Sequence, residues 1–414
     1  MRIVALLIGT SMVSACGGGG GTQSAGSVPL VAGTPATPNA SAHTFVNPTV
    51  QKVYKAIAAG HNYQYNIKED NLAGTHTGQY GQLYQGNSTT VRDSQVSVDY
   101  NPRDAIFNIS YLDTKAGIST NDRFQDPAHR TAFGGALEPQ TGTPQFSAGG
   151  VQYLEHSNGS SGTLALQPNT LFAPLPAGNA TGTYDVSTFF YQKPGTSTSY
   201  VTFAGFLRNS ISASRVNTAA VPASNGLPGA PASSITTYAY NLSRGLFVFG
   251  ENTIDGVPKT GTGSFTGTML ASMIFNNKLD TDPSAPSYFQ MIEGTANTKV
   301  DFGANTFSLA LNGTTFAPQT DVWGGTNITI LGGARFNAAG KGTIDLVKAG
   351  GFLGQFQTAW FVNPDNTRYD LSIAGSSIDG AFYGPAANEV GGSYRIVGGT
   401  PDERIDILGV FVGK

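Results

Sequence analysis

The side chains able to bind a metal or relay protons are sparse and poorly spaced. Five histidines occur, His43, His61, His76, His129 and His156. None forms a His-x-x-x-His pair, and the single cysteine, Cys16, cannot complete a zinc set. His61 and His76 could meet in space and touch haem or a metal ion; the simpler reading is scattered loop residues. No Gly-x-Ser-x-Gly elbow occurs and every histidine precedes residue 157, which leaves a hydrolase triad without support. Asp280, Asp282 and Asp301 lack the spacing of a calcium loop. Gly261-x-Gly263 lies inside a predicted strand, not between a strand and a helix, so it is no dinucleotide fingerprint. The sequence therefore predicts no catalytic residue, no metal site and no cofactor. Binding, carried by loops, is the expected activity.

Cys16 has a different chemistry. Met1-Arg2 is followed by an apolar run, Ile3 to Val13, far short of the about 20 residues needed to span a bilayer. Val13-Ser14-Ala15-Cys16 resembles the bacterial lipobox. The resemblance implies cleavage before Cys16, a diacylglycerol on its sulfur and an acyl chain on the new amino group, several chains together giving a stable anchor. Residue 17 is Gly, not the Asp that commonly retains lipoproteins at the inner membrane, so the outer membrane is expected. Residues 1–15 read as a signal peptide. Residues 16–45, rich in Gly, Ser, Thr, Ala and Pro, read as a flexible tether. No Lys-Ser/Thr follows the glycine run, so it is not a phosphate loop.

The rest of the chain must supply the elements that hold a binding surface. Only 12% of its 414 residues are charged, Gly (54) and Pro (22) are abundant, and Thr, Ser, Asn and Tyr are frequent. That composition predicts an all-β, turn-rich protein. A net charge of −3 without a basic run argues against a nucleic-acid partner. One helix is predicted, Asn47 to Gly60: Asn47 can cap it, Pro48 suits its first position, and Val50, Val53, Tyr54, Ile57 and Ala58 form one apolar stripe. Ser94 to Tyr100 and Ala105 to Tyr111 read as a hairpin across Asn101-Pro102-Arg103-Asp104. Asp113 to Gly150 reads mostly as loop, with further strands at Val151 to Glu155 and Thr183 to Gln192. From Ser199 onward strands dominate and sum to about eight antiparallel ones, best closed into a barrel because closure removes exposed edges. Three loops could carry binding: Asn209 to Ser234, Asn276 to Ser287 and Ala317 to Asn327. Trp323, beside Gly324-Gly325, is either an interface anchor or a lid tucked over a barrel end. Tyr288 and Phe289 carry the same ambiguity. Trp360 lies in a strand and is expected in the core.

The longest patterned stretch is Ile378 to Tyr394, in which Gly380, Phe382, Tyr383, Gly384, Pro385, Ala387, Glu389, Gly391, Gly392 and Tyr394 form Gly-x-Phe-Tyr-Gly-Pro-x-Ala-x-Glu-x-Gly-Gly-x-Tyr. It reads as strand, forced turn and strand, since Gly admits positive φ and Pro has no N–H. This pattern resembles the closing element of the barrel domain in transferrin-binding-protein-B-like surface lipoproteins. Gly261-Thr-Gly-Ser-Phe-Thr-Gly, the paired segments from Glu293 and Asn305, and the terminal Leu408-Gly-Val-Phe-Val-Gly-Lys resemble other strands of that barrel. The resemblance implies a β-rich handle domain over residues 46–198 and an eight-stranded antiparallel β-barrel over 199–414, with room for one such lobe only. It further implies an outer-membrane, lipid-anchored binding protein that captures an iron- or haem-bearing ligand, without turnover, for a TonB-dependent transporter. The alternative is an adhesion or interaction lipoprotein with no role in nutrient uptake.

Overall fold

The computed structural model describes residues 50–70, 75–77, 89–101, 106–113, 118–125, 146–157, 180–193, 195, 197–220, 222, 232–276, 288–320, 328–347, 350–398 and 404–414. Among them there is no helix. The first sheet is built from β1 (Lys52–Asp70), β2 (Thr75–Thr77), β3 (Thr89–Asn101), β4 (Ile106–Asp113), β5 (Ile118–Gln125), β6 (Val151–Ser157), β7 (Ala180–Gln192), β8 (Val201–Thr218) and β9 (Ser233–Gly250). The second holds β10 (Thr262–Asn276), β11 (Tyr288–Asp301), β12 (Thr306–Thr315), β13 (Gln319–Thr320), β14 (Arg335–Asp345), β15 (Gly351–Val362), β16 (Arg368–Asp370), β17 (Ile373–Tyr383), β18 (Glu389–Gly398) and β19 (Arg404–Gly413).

The second sheet is a closed barrel. Its order runs β10-β19-β18-β17-β15-β14-β12-β11, and β11 pairs back onto β10 from Thr262↔Asp301 to Phe275↔Tyr288. Eight strands close the ring, as expected; β13 and β16 are short additions. Period-2 patterning explains why these segments are strands with one face inward. In β12, Phe307, Leu309 and Leu311 are buried while Thr306, Ser308, Ala310 and Asn312 face out. The interior is packed with Met269, Phe275, Phe336, Phe352, Phe361, Ile378, Tyr394 and Phe411, among others. It is a filled core, as in other small barrels.

The first sheet, in the order β5-β4-β3-β1-β9-β8-β7-β6, is curled. Phe124 on the edge strand β5 stacks on Phe189 of β7 at 4.6 Å, although five strands separate them in the order. Asp122 of β5 accepts a charge-assisted hydrogen bond from Arg208 of β8 at 2.5 Å. Such contacts require the sheet to roll until its two ends approach. Inside the curl lie Tyr54, Val96, Val98, Phe107, Ile109, Phe189, Tyr191, Phe247 and Phe249. The opposite face supplies Phe190, Val201, Phe203, Leu207, Leu246 and Val248. These pack on Leu270, Met291, Ala381, Tyr383, Val410 and Val412, on the barrel's outer wall, as one shared apolar cluster.

The expected hairpin is present, with Tyr100 opposite Phe107 and Val98 opposite Ile109. Three expectations are corrected. The helix over 47–60 is a strand from Lys52 onward, flanked by β3 and β9. Its apolar residues also satisfy a two-residue period through Tyr54, Ala56 and Ala58, and pairing on both sides outweighs local helix preference. The segment expected as mostly loop after Asp113 contains β5, and most of the described part of Asn209 to Ser234 is strand, because β8 and β9 run on to Thr218 and back from Ser233. The expected boundary at 198/199 falls inside the first sheet. β8 and β9 belong to the handle, β9 pairing β1 over fourteen positions, and the change of sheet comes between Gly250 and Thr262. Barrel and handle strands share the same alternation, so composition alone did not separate them.

Candidate functional site

The patterned stretch from Gly380 to Tyr394 sits where handle and barrel join, and its residues divide between the two. Phe382 points into the barrel core beside Phe352 and Phe302, at 5.4 and 5.7 Å. Its neighbour Tyr383 points the other way, into the apolar cluster shared with the handle. One single-residue step of a strand thus ties both cores to the same backbone. Gly380 lies opposite Phe352, and a Cβ there would come within 2.2 Å of that ring. Gly392 faces Gly380 across β17 and β18; a Cβ on it would meet the Asp379 carbonyl oxygen at 2.4 Å. Tyr394 is fully buried in the barrel, its hydroxyl 3.7 Å from the Met269 sulfur, and burial drives its pKa upward.

The turn between β17 and β18 is the hinge of the junction. Gly384 has φ +84° and Ala387 φ 56°. A Cβ at Gly384 would lie 2.7 Å from the Tyr200 ring. Strand-like hydrogen bonds tie the interdomain segment to this turn: Thr253 N–H donates to the Phe382 carbonyl at 2.9 Å, and Gly384 N–H to the Glu251 carbonyl at 2.8 Å. Thr253 Oγ1–H donates to the Gly384 carbonyl at 2.5 Å. Pro385 packs so closely on Gly256 that a Cβ at 256 would strike its carbonyl oxygen at 1.9 Å. Gly391 admits Val201, whose Cγ2 would be 2.9 Å from a Cβ there.

Glu389 closes the arrangement. It is 3% exposed, and its carboxylate accepts from three successive handle backbone donors, Ser199, Tyr200 and Val201, at 2.5, 2.7 and 3.1 Å. These donors lead into β8, which begins at Val201, and would otherwise be left without a strand partner at the domain seam. A buried carboxylate satisfied by three N–H groups is a strong clamp. Glu293 makes a second clamp on the far side: its carboxylate accepts from Ser147 N–H and Oγ–H at 2.8 Å each and from Ala148 N–H at 2.5 Å. Beside it, Phe146 N–H donates to the Tyr153 hydroxyl at 2.8 Å, and burial pushes that hydroxyl up to about 12.

Tyr288 and Phe289 are brought to this region but neither is exposed. Tyr288, 1% exposed, lies in the barrel core, and its hydroxyl accepts from the N–H groups of Thr329 and Ile330 at 3.2 Å. Phe289 lies on the outer wall under the handle, covered by the Arg244 guanidinium at 4.9 Å. That guanidinium, nearly buried, donates to the carbonyls of Arg208 and Ser243 at 3.1 and 2.9 Å. Trp360, expected in the core, instead faces outward between buried Ala359 and Phe361. Cys16, Trp323 and the loop of residues 277–287 lie outside the described residues, and so do the side chains of the five histidines. Among the described residues no group of three metal-ligating side chains occurs. The clamping roles of Glu389, Glu293 and Arg244 are not legible in the sequence, although Glu389 and Glu293 both stand within patterned segments.

The first sheet is thus clamped onto a filled eight-stranded barrel. Residues 257–414, the barrel, match the family described as the C-lobe and N-lobe beta barrels of Tf-binding protein B. Among solved structures, intact Ap-TbpB with its N and C lobes is similar at 12% identity over 88% of this chain and 78% of that one, with a TM-score of 0.27. A double mutant of the vaccine antigen transferrin-binding protein B from Haemophilus parasuis Hp5 is similar at 13% over 89% and 76%, with a TM-score of 0.25. The isotype 1 transferrin-binding protein B from serogroup B Neisseria meningitidis gives 11% over 89% and 77%, and 0.23. No curated protein matches the chain.

Proposed function

We propose that this chain is a lipid-anchored binding protein of the outer-membrane surface. It captures an iron-bearing protein and presents it to a TonB-dependent transporter. The observation that carries the reading is the barrel that begins at residue 257, whose family is that of the Tf-binding protein B barrels. The geometry favours a protein over free haem as the captured species. The barrel interior is filled by aromatic and aliphatic side chains, so a ligand must be held on the outside. The double clamp of handle on barrel supports the same reading, because a rigid composite surface loses less entropy on docking a large partner. The adhesion alternative predicts a partner without iron.

The test is a binding titration of the purified full chain against immobilised transferrin in iron-loaded and iron-free forms. It is paired with growth of the source bacterium, with and without the gene, on protein-bound iron alone. The reading expects a saturable interaction with an iron-bearing protein and a growth defect in the deletion strain. Normal growth of that strain on every protein-bound iron source would overturn it and favour the adhesion alternative.

A further inference from the structure

The barrel wall away from the handle carries a second surface, independent of the reading above. The handle packs on β10, β11, β17, β18 and β19, and among the described residues nothing covers the outer faces of β12, β14 and β15. Across this wall the strand register sets Glu293, Thr314 and Arg335 in one row and Asn312, Asn337 and Trp360 in the next. Together they line an open groove of about 540 Å³. Its floor crosses four strands, roughly 14 Å at the usual strand spacing of about 4.8 Å.

The chemistry of the groove is uneven in a telling way. Trp360 forms the end wall and is braced from behind. The Arg368 guanidinium lies 4.8 Å over its ring, and Arg368 is itself forked by the Asp370 carboxylate at 2.6–3.0 Å. Both braces come from β16, on the side of Trp360 away from Asn337, and neither lines the groove. The Asn312 and Asn337 amides stand side by side with no protein hydrogen-bond partner among the described residues. Arg335 is exposed and has no acidic partner among them. The one carboxylate lining the groove, Glu293, is committed to Ser147 and Ala148 of the handle. The groove thus presents an aromatic wall, two free amides, a hydroxyl and one unopposed guanidinium.

A peptide strand cannot be added here, because every strand of the floor is paired on both sides. A deep apolar pit for an anchoring side chain is absent from the groove's lining. What fits is a sugar ring: its C–H face against the indole, its hydroxyls on the paired amides, and a carboxylate in the Arg335 fork. We infer that this groove binds a glycan terminus that carries a carboxylate.

The test is ligand-observed NMR titration of the full chain with sialyllactose as the acidic probe and lactose as the neutral control. Sialyllactose is expected to bind and lactose to bind at least about tenfold more weakly. Arg335→Gln should reduce sialyllactose binding to the lactose level, and Trp360→Ala should abolish both. Thermal melts of the two variants, whose side chains lie on the outer face, should stay close to the parent. Absence of a sialyllactose signal with the parent, or an unchanged signal in either variant, overturns the inference. So does equal competition by a short acidic peptide at the same concentration, since Arg335 would then be a general anion contact.

Discussion

Glu389 is the residue on which the junction turns. Its carboxylate replaces the missing strand partner of three handle N–H groups while itself almost fully buried. Glu389→Gln keeps the shape but offers a single neutral oxygen and places an amide donor against N–H groups. We expect a loss of about 2–3 kcal/mol, measured by denaturant titration, with the secondary structure at native conditions unchanged. A variant as stable as the parent would show that water can do the work of the carboxylate. Gly384→Val tests the turn itself. Its φ of +84° and the 2.7 Å approach of Tyr200 leave no room for a side chain. The expected loss is about 1–3 kcal/mol, with any loss of ligand binding following the loss of folded protein. A Val variant that melts like the parent yet no longer binds would make this turn a recognition element.

At the scale of elements, the seam between the sheets decides what can be cut. All eight barrel strands lie after residue 257, so residues 257–414 should fold alone to a β circular-dichroism spectrum. The same cut uncovers Leu270, Met291, Tyr383, Val410 and Val412 on the outer wall. Strong binding of a hydrophobic dye and a tendency to self-associate are therefore expected. Residues 199–414 should behave worse, because they retain β8 and β9 without β7 and β1 and so expose two long unpaired edges. Size-exclusion chromatography of both fragments checks the order: the longer fragment is expected to be the more aggregated. If it runs as a clean monomer and the shorter one does not, the β8–β9 ribbon is a sufficient cover for the barrel wall.

For the whole molecule, the proposed placement in the cell rests on Cys16. Cys16→Ser is expected to abolish lipid labelling and to leave the chain unprocessed or in the wrong compartment, without changing the stability of the folded lobe. Radiolabelled fatty-acid incorporation and membrane fractionation measure this directly. Outer-membrane fractionation and acylation like the parent's would remove the anchor from the account and, with it, the surface presentation that the proposed function needs.

Much of this protein follows from local patterning. The period-2 alternation of β12 and the turn residues after Asn101 are signals carried by adjacent residues, and the strands and hairpin they imply are found. The Gly380 to Tyr394 pattern was likewise visible, since Gly and Pro restrict the backbone wherever they stand. Other features were decided only in three dimensions. The segment from Lys52 carries a stripe that serves a helix as well as a strand, and it became a strand because β3 and β9 offer pairing on both sides. The sheet boundary moved to 250–262 because β9 finds its partner β1 almost two hundred residues away. Glu293, Arg244 and Trp360 sit in strands that look alike in one dimension. Whether such a residue clamps the handle, stacks beneath it or faces open solvent depends on which wall of the closed barrel the curled sheet covers. That choice is made by long-range packing, which no local spacing encodes.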